Sequence, residues 1–242
     1  MTTFDILGLA GTAVNAIGGT LAAGRKGFDI LGVLVIAVVC SIGGGTMRDL
    51  LLDRHPIFWL ANPDPLYVVF LSSALTMIYV RYRHPPHGSL LIADAIGLAL
   101  FCILGAEIAE RAGMPWIAIV ILGTVTGCAG GLFRDVLSND TPMLFQPADI
   151  YATVAAAGIL LWLIMRDLGV PGDIARIVSM VFVFVFRMSA IYWSICLPVI
   201  RVPEERRSFE WLKRTRQKAE DRQILEENAA RQDRKSGRPD SL

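Results

Sequence analysis

Residues 41–58 read SIGGGTMRDLLLDRHPIF, and residues 127–144 read GCAGGLFRDVLSNDTPML. Offset by 86 positions, the two stretches share glycines, an Arg-Asp dipeptide and a proline. The matched residues are Gly44 with Gly130, Gly45 with Gly131, Arg48 with Arg134, Asp49 with Asp135, Leu51 with Leu137 and Pro56 with Pro142. Six identical residues in the same order at one constant offset indicate that the chain contains an internal repeat.

Both stretches lie within long apolar segments. Of the 242 residues, 54% are apolar and 19% charged, and the mean hydropathy of +0.52 is far above that of a soluble domain. About 20 mostly apolar residues cross the roughly 30 Å of hydrocarbon in a bilayer. The segments that meet this requirement are 4–22, 29–52, 66–82, 89–109, 115–137, 148–165 and 174–199. The net charge of +1 gives no reason to expect nucleic acid as a partner.

Each copy of the repeat holds three of these segments, and Asp5 near the start of the first segment corresponds to Asp94 near the start of the fourth. Because three is odd, the second copy enters the membrane from the opposite face, so the repeat is inverted. The predicted fold is all-α: a polytopic membrane protein with seven transmembrane helices, an inverted 3+3 helix repeat and an added seventh helix. The predicted divisions are the first repeat at 1–83, the second at 88–168, the seventh helix at 174–200 and a charged cytoplasmic tail at 201–242.

Basic residues between the segments set the predicted orientation, since the cytoplasmic side of a membrane protein carries the excess of Lys and Arg. One side has Arg25, Lys26, Arg81, Arg83 and the basic tail, and the other has Arg54, Arg111, Arg166 and Arg176. We therefore expect the N-terminus outside and the C-terminus in the cytoplasm, with the protein in a cell (inner) membrane.

Glycines occupy matched positions in the second and fifth segments. Gly43, Gly44 and Gly45 lie in the second segment, and Gly130 and Gly131 lie in the fifth. Each weakens a helix by about 1 kcal/mol relative to alanine, and bent backbone in a membrane is tolerated where protein or a water-filled cavity satisfies its polar groups. We expect a helix kink that opens onto a pathway at these glycines. The alternative is close helix packing through small residues.

Charged side chains within the segments are costly unless they face protein or water. They are Arg48, Asp49, Asp94, Glu107, Arg134, Asp135 and Arg187, and we expect them to line the pathway or to pair between helices. Neighbours on a helix point about 100° apart, so neither Arg-Asp dipeptide is expected to pair within itself. The repeat instead predicts Arg48 near Asp5, with Glu107 as another candidate, and Arg134 near Asp94. Arg187 is expected to reach a carboxylate or freed backbone carbonyls.

Motifs of enzymes and cofactor sites are missing from the sequence. It contains no HExxH, no GxSxG and no lysine after a glycine-rich phosphate loop, so we do not expect an enzyme. Cys40, Cys102, Cys128 and Cys196 lie in apolar runs without paired spacing and are expected to be small packing residues. We therefore expect neither a metal nor a cofactor.

With GGGTMRDLLL at 43–52, AGGLFRDVL at 129–137 and a seventh helix after the inverted repeat, the chain resembles the prokaryotic branch of the trimeric intracellular cation (TRIC) channel family, also labelled glycine-transporter-like. The resemblance implies a homotrimer surrounded by membrane lipids, in which each subunit holds its own pore and passes potassium and sodium. The pore would be bounded by the helices kinked at the two glycine motifs. A secondary carrier of a small solute such as glycine, or a non-conducting membrane scaffold, is the alternative.

Overall fold

A computed structural model describes residues 2–86, 88–146 and 150–193 of the chain. Within these residues the regular structure is α-helical, apart from one short 3₁₀ turn at Met143–Phe145. The helices are α1 (Thr3–Arg25), α2 (Ile30–Leu51), α3 (Phe58–Ala61), α4 (Asp64–Tyr82), α5 (Ser89–Arg111), α6 (Trp116–Leu137), α7 (Ala152–Asp167) and α8 (Gly172–Trp193). The chain divides into two units, Met1–Leu197 and Pro198–Leu242, and the second unit, with the predicted tail at 201–242, lies outside the described residues.

Six helices of the described part are long and apolar enough to cross a membrane, namely α1, α2, α4, α5, α6 and α8. The prediction of an all-α, polytopic membrane protein is therefore confirmed. The remaining long helix, α7, has 16 residues, which at 1.5 Å per residue is about 24 Å and less than the hydrocarbon thickness. It starts later than the predicted segment 148–165, because residues 150 and 151 are not helical.

Local sequence signals set the ends of the helices. Thr2 and Asp5 form a capping box at the start of α1, and the Asp29 carboxylate accepts a backbone hydrogen bond in the first turn of α2. Gly27 and Gly113 follow α1 and α5 with φ of 72° and 73°, a conformation that strains any residue with a Cβ. Since α1 and α5 are the first helices of the two copies, both copies end this helix in the same way.

The helix packing follows the inverted repeat. α1 packs against α2, as α5 packs against α6, and α4 covers the first pair as α7 covers the second. Between the copies, α1 contacts α5 and α2 contacts α6, so these four helices form the centre of the bundle. The added helix α8 packs against α5 and α7.

The outer surface of α4 is apolar. Large side chains such as Tyr67, Leu71 and Leu75 are exposed along it, and few of its residues are buried. A continuous surface of this kind is expected to meet lipid or another subunit. The exposed face of α4 is therefore not expected to line a pathway within the subunit.

Candidate functional site

The backbones of α2 and α6 meet where the two glycine motifs cross. A Cβ added at Gly44 would overlap the carbonyl oxygen of Thr126, and one added at Gly130 would overlap the carbonyl oxygen of Cys40. Thr126 and Cys40 are themselves related by the offset of 86 residues, so the two contacts are copies of one contact. Small residues permit this close approach between membrane helices.

Both helices continue without interruption through the glycine motifs. They are not broken there, and close packing, the alternative considered for the sequence, accounts for Gly44 and Gly130. A Cβ at Gly43 or Gly45 would likewise meet an aromatic ring, at 2.8 Å and 2.6 Å. A bend of the helix axis that opens a pathway stays a prediction.

Each Arg-Asp dipeptide forms an ion pair within itself. Arg48 Nη2 lies 2.7 Å from Asp49 Oδ1, and Arg134 Nε lies 2.8 Å from Asp135 Oδ1. The expectation that these neighbours would not pair is wrong in both copies. Both dipeptides stand at the end of their helix, with the arginine in the last turn. There the long guanidinium side chain can turn around the helix end and reach the adjacent carboxylate.

The second oxygen of each aspartate holds the turn that follows the helix. Asp49 Oδ2 accepts a hydrogen bond from Phe58 N at 3.0 Å, and Asp135 Oδ2 accepts one from Met143 N at 3.0 Å. These bonds tie the start of α3 to the end of α2, and the start of the 3₁₀ turn to the end of α6. The two short elements, which the sequence did not predict, therefore occupy equivalent places in the two copies.

Asp94 pairs across the helices as the repeat predicted. Arg134 Nη1 donates to Asp94 Oδ1 at 2.9 Å, and both side chains are almost completely buried, so this prediction is confirmed. A Cβ at Gly131 would lie 3.0 Å from the same Asp94 oxygen. The absence of a side chain at Gly131 thus leaves room for the carboxylate between α5 and α6.

The equivalent pairing of Arg48 with Asp5 is wrong. Asp5 is exposed and accepts hydrogen bonds from Thr2 in the cap of α1. The Arg48 guanidinium lies on Asp49, and its Cζ is 5.6 Å from the centroid of the Phe58 ring. Both Arg48 and Asp5 have nearer partners on their own part of the chain.

Glu107 anchors α8 and is not the partner of Arg48. Its oxygens accept hydrogen bonds from Arg176 Nε at 2.7 Å and Arg176 Nη2 at 2.9 Å, and also from Arg111 one turn along α5. Arg176 additionally donates to Asp173 at the start of α8. A buried carboxylate on α5 is therefore neutralised by arginines from both helices.

Arg187 is fully buried in the middle of α8. Its Cζ lies 4.7 Å from the centroid of the Tyr151 ring, within the range of a cation–π contact. The side chain thus points inward, as expected for an arginine at membrane depth. A carboxylate or carbonyl partner for it stays a prediction.

We expect Glu107→Gln to loosen α8 from α5. The variant sets two arginines against a neutral amide, and the loss of charged hydrogen bonds costs about 2 kcal/mol of unfolding free energy. Thermal unfolding in detergent measures the loss. Glu110→Gln is the matched control, because Glu110 is partly exposed and lies 3.8 Å from Arg166. Equal melting temperatures of the two variants would contradict the anchoring role.

Two cavities open at opposite ends of the four central helices. Cavity A, about 390 Å³, is lined by the start of α1 and the ends of α2 and α5, with Asp5, Arg48 and Ile108 among the lining residues. Cavity B, about 420 Å³, is lined by the end of α1, the start of α5 and the end of α6, with Arg25 and Asp135 among them. If each helix is replaced by its equivalent in the other copy of the repeat, the helix ends that line cavity A become the helix ends that line cavity B. The cavities are therefore equivalent under the inverted repeat.

Some of the predicted charged residues line these cavities, and the others are held by contacts within the helix bundle. Arg48 lines cavity A, and Asp135 lines cavity B, where Asp140 also forms a 2.6 Å ion pair with Lys26. The charges engaged with protein groups in the bundle are Asp49, Asp94, Glu107, Arg134 and Arg187. A role of these charges in conduction stays a prediction.

A polar residue of α1, missed by the sequence reasoning, lies between the two cavities. Gly8 and Thr12 line cavity A, and Ala22 and Lys26 line cavity B. Asn15 falls on the same face of α1, since residues three, four and seven apart lie above one another on a helix. The spacing was the signal available in the sequence. Asn15 was missed because an uncharged amide does not stand out in an apolar segment.

The cysteines and other candidate metal ligands of the described residues are scattered through the bundle. No group of His, Cys, Asp or Glu side chains there could hold a metal ion. Cys40, Cys102 and Cys128 are free and buried, and Cys196 lies outside the described part of the chain. The described site therefore consists of ion pairs, close helix contacts and two cavities.

Comparison with known proteins matches the two copies of the repeat separately. A family model described as Glycine transporter matches residues 5–81 and again residues 91–167. The UPF0126 inner membrane protein YadS of Escherichia coli (strain K12) is 39% identical over 203 residues, which cover 83% of this chain and 98% of that protein. A UPF0126 membrane protein of Vibrio cholerae is 37% identical over 194 residues, covering 80% of this chain and 81% of that protein.

Solved structures identify the same family. The TRIC trimeric intracellular cation channel orthologue from Rhodobacter sphaeroides has a TM-score of 0.76 at 30% identity, over 81% of this chain and 100% of that chain. A structure described as the structural basis for conductance through TRIC cation channels has a TM-score of 0.74 at 37% identity, over 83% of this chain and 98% of that chain. The chain belongs to the TRIC family. TRIC proteins are channels and membrane proteins, so the expectation that this chain is not an enzyme is confirmed.

Proposed function

We propose that this TRIC protein is a channel for monovalent cations, potassium and sodium, with one pore in each subunit of a homotrimer. The observation that carries the proposal is the pair of equivalent cavities at opposite ends of the four central helices. In transport proteins with inverted repeats, the ion site lies between the copies near the middle of the membrane. The similarity to trimeric cation channels supports the same function.

The acidic side chains of each cavity are matched in number by basic ones: Asp5 and Asp64 with Arg48 and Arg54 in cavity A, and Asp135 and Asp140 with Arg25 and Lys26 in cavity B. Arg48 is neutralised by Asp49, and Arg134 is neutralised by two carboxylates, so neither arginine presents a full positive charge to a permeating ion. Asp5 and Asp64 line cavity A, and their hydrogen bonds in the described part of the chain come from Thr2 and Asn62 and not from a cationic side chain. Carboxylates at a channel mouth raise the local concentration of cations.

The membrane and the orientation are part of the proposal. YadS is an inner membrane protein by its name, which supports a cell inner membrane for this chain. The distribution of Lys and Arg supports an outside N-terminus and a cytoplasmic C-terminus. The proposed divisions remain 1–83, 88–168, 174–200 and 201–242.

Purified protein in planar bilayers is expected to give unitary potassium currents. In a KCl gradient the reversal potential should follow the cation and not the chloride gradient, and sodium should substitute for potassium. Bilayers treated with the same detergent without protein are the control. Chloride-selective currents, or flux without unitary events, would contradict a cation channel.

A carrier of a small solute such as glycine is the second candidate. The description of the matching family model favours it, and inverted repeats serve carriers as well as channels. Saturable, gradient-driven uptake of labelled glycine into proteoliposomes that give no unitary currents would establish the carrier in place of the channel.

A further inference from the structure

We infer that Asn15 forms the selectivity-determining constriction of the pathway, where its side-chain oxygen replaces water around a permeating alkali-metal cation. The inference rests on the proposed channel function and deepens it. Asn15 lies close to the middle of α1, Thr3–Arg25, and so near mid-membrane if α1 crosses the bilayer.

The side chain of Asn15 points into the bundle. A Cβ built at Gly97 of α5 would overlap Asn15 Oδ1, and one built at Gly130 of α6 would lie 3.6 Å from Asn15 Nδ2. The amide therefore lies between α1, α5 and α6, beside the crossing of α2 and α6. Asn15 is nevertheless only partly buried. The contacts with α5 and α6 therefore leave part of the Asn15 side chain accessible.

The amide of Asn15 has no hydrogen-bond partner among the described residues. Thr12, on the same face of α1, uses its hydroxyl to donate to Gly8 O at 2.9 Å. An amide at membrane depth without such a bond is costly unless it meets water or an ion. The group is therefore free to interact with a permeant.

Asn15 also lies where the two cavities would join. Along the helix it stands about 5 Å beyond Thr12, which lines cavity A, and about 10 Å before Ala22, which lines cavity B. An ion that moves along this face of α1 from one cavity to the other passes the amide. A larger or a charged side chain at position 15 would therefore affect the passage of every conducted ion.

The repeat supplies no second amide opposite Asn15. By the offset that relates Gly8 to Gly97, Asn15 corresponds to Leu104, which is buried and apolar. Divalent ions such as Ca²⁺ are bound by several oxygen ligands that include carboxylates. A single neutral oxygen fits a monovalent cation that keeps part of its water and leaves again readily, as conduction requires.

Single-channel recordings of Asn15→Leu and Asn15→Asp test the inference. We expect Asn15→Leu to lower the unitary potassium conductance by about tenfold or more, because leucine has a similar size and offers no oxygen. We expect Asn15→Asp to conduct and to become blocked by millimolar Ca²⁺, because a fixed carboxylate holds a divalent ion. Ser73→Ala is the control, since it removes a polar side-chain group from the bundle at a site on α4 that lies outside both cavities.

The outcomes separate the inference from the channel function. Folded Asn15→Leu trimers with wild-type conductance, or Asn15→Asp channels with wild-type Ca²⁺ sensitivity, would overturn the role of Asn15 and leave the channel intact. If Asn15→Leu fails to assemble, the Asn15→Asp recording decides. A wild-type protein without unitary currents would overturn the proposed function, and the inference with it.

Discussion

Gly44→Ala and Gly130→Ala are each expected to lower the free energy of unfolding by about 3 kcal/mol. The added Cβ would overlap a carbonyl oxygen of the facing helix, Thr126 O for Gly44 and Cys40 O for Gly130. Backbone atoms cannot rotate aside as side chains do, so α2 and α6 must separate. Because the two contacts are copies of one contact, the two variants should lose similar amounts of stability.

Thermal unfolding in detergent measures this loss, and Gly24→Ala is the matched control. Gly24 is also helical, but nothing lies within 4 Å of a Cβ at that position. Alanine there should stabilise α1 by about 0.5–1 kcal/mol. Leucine at position 44 would place the same Cβ against Thr126 O, so we expect Gly44→Leu to lose the fold and not to yield a folded, blocked channel. If Gly44→Ala melts like Gly24→Ala, the close crossing is refuted.

The long helices and the repeat could be predicted because their signals are local in the sequence. Hydropathy over about 20 residues finds a membrane helix without knowledge of its neighbours. The short elements after α2 and α6 escaped this approach, because α3 has four residues and its start is held by Asp49, nine positions earlier. A helix of that length has no periodic pattern of its own.

The choice of ion-pair partners could be predicted in one copy and not in the other. Asp5 is the third residue of α1, in the first turn, where it caps the helix with Thr2. Asp94 is the sixth residue of α5, too deep to cap the helix, and it is buried. The repeat makes Asp5 and Asp94 look equivalent, but nearly one helical turn separates their depths. That difference decides that Asp94, and not Asp5, pairs with an arginine.

Close contacts between helices could not be predicted from glycine spacing alone. The same glycines are compatible with a bend and with tight packing, since both need a residue without a Cβ. The deciding fact is which atom faces the glycine, and for Gly44 it is a backbone carbonyl of α6. Asn15 was missed for a related reason, because its importance depends on the two cavities that its helix connects.

Asp94→Asn is expected to destabilise the protein by about 3 kcal/mol, near the lower end for a broken buried pair. The variant leaves the buried Arg134 guanidinium with Asp135 as its remaining carboxylate. Arg134→Gln alone should also destabilise, because it leaves the Asp94 charge buried without its partner. The double variant should recover part of the loss, since Asp94 is then neutral, whereas Asp135 loses its arginine in the single Arg134→Gln variant and in the double variant alike.

A double-mutant cycle measured by unfolding in detergent isolates this coupling, which we expect to exceed about 1 kcal/mol. The same cycle with Asp5→Asn and Arg48→Gln is the matched control, because these residues are related by the repeat but do not pair. Coupling in the first cycle and additivity in the second would establish that only one copy of the repeat holds a cross-helix ion pair. Additive effects of Asp94→Asn and Arg134→Gln would show that the two side chains do not act together, and that Asp135 alone compensates the arginine.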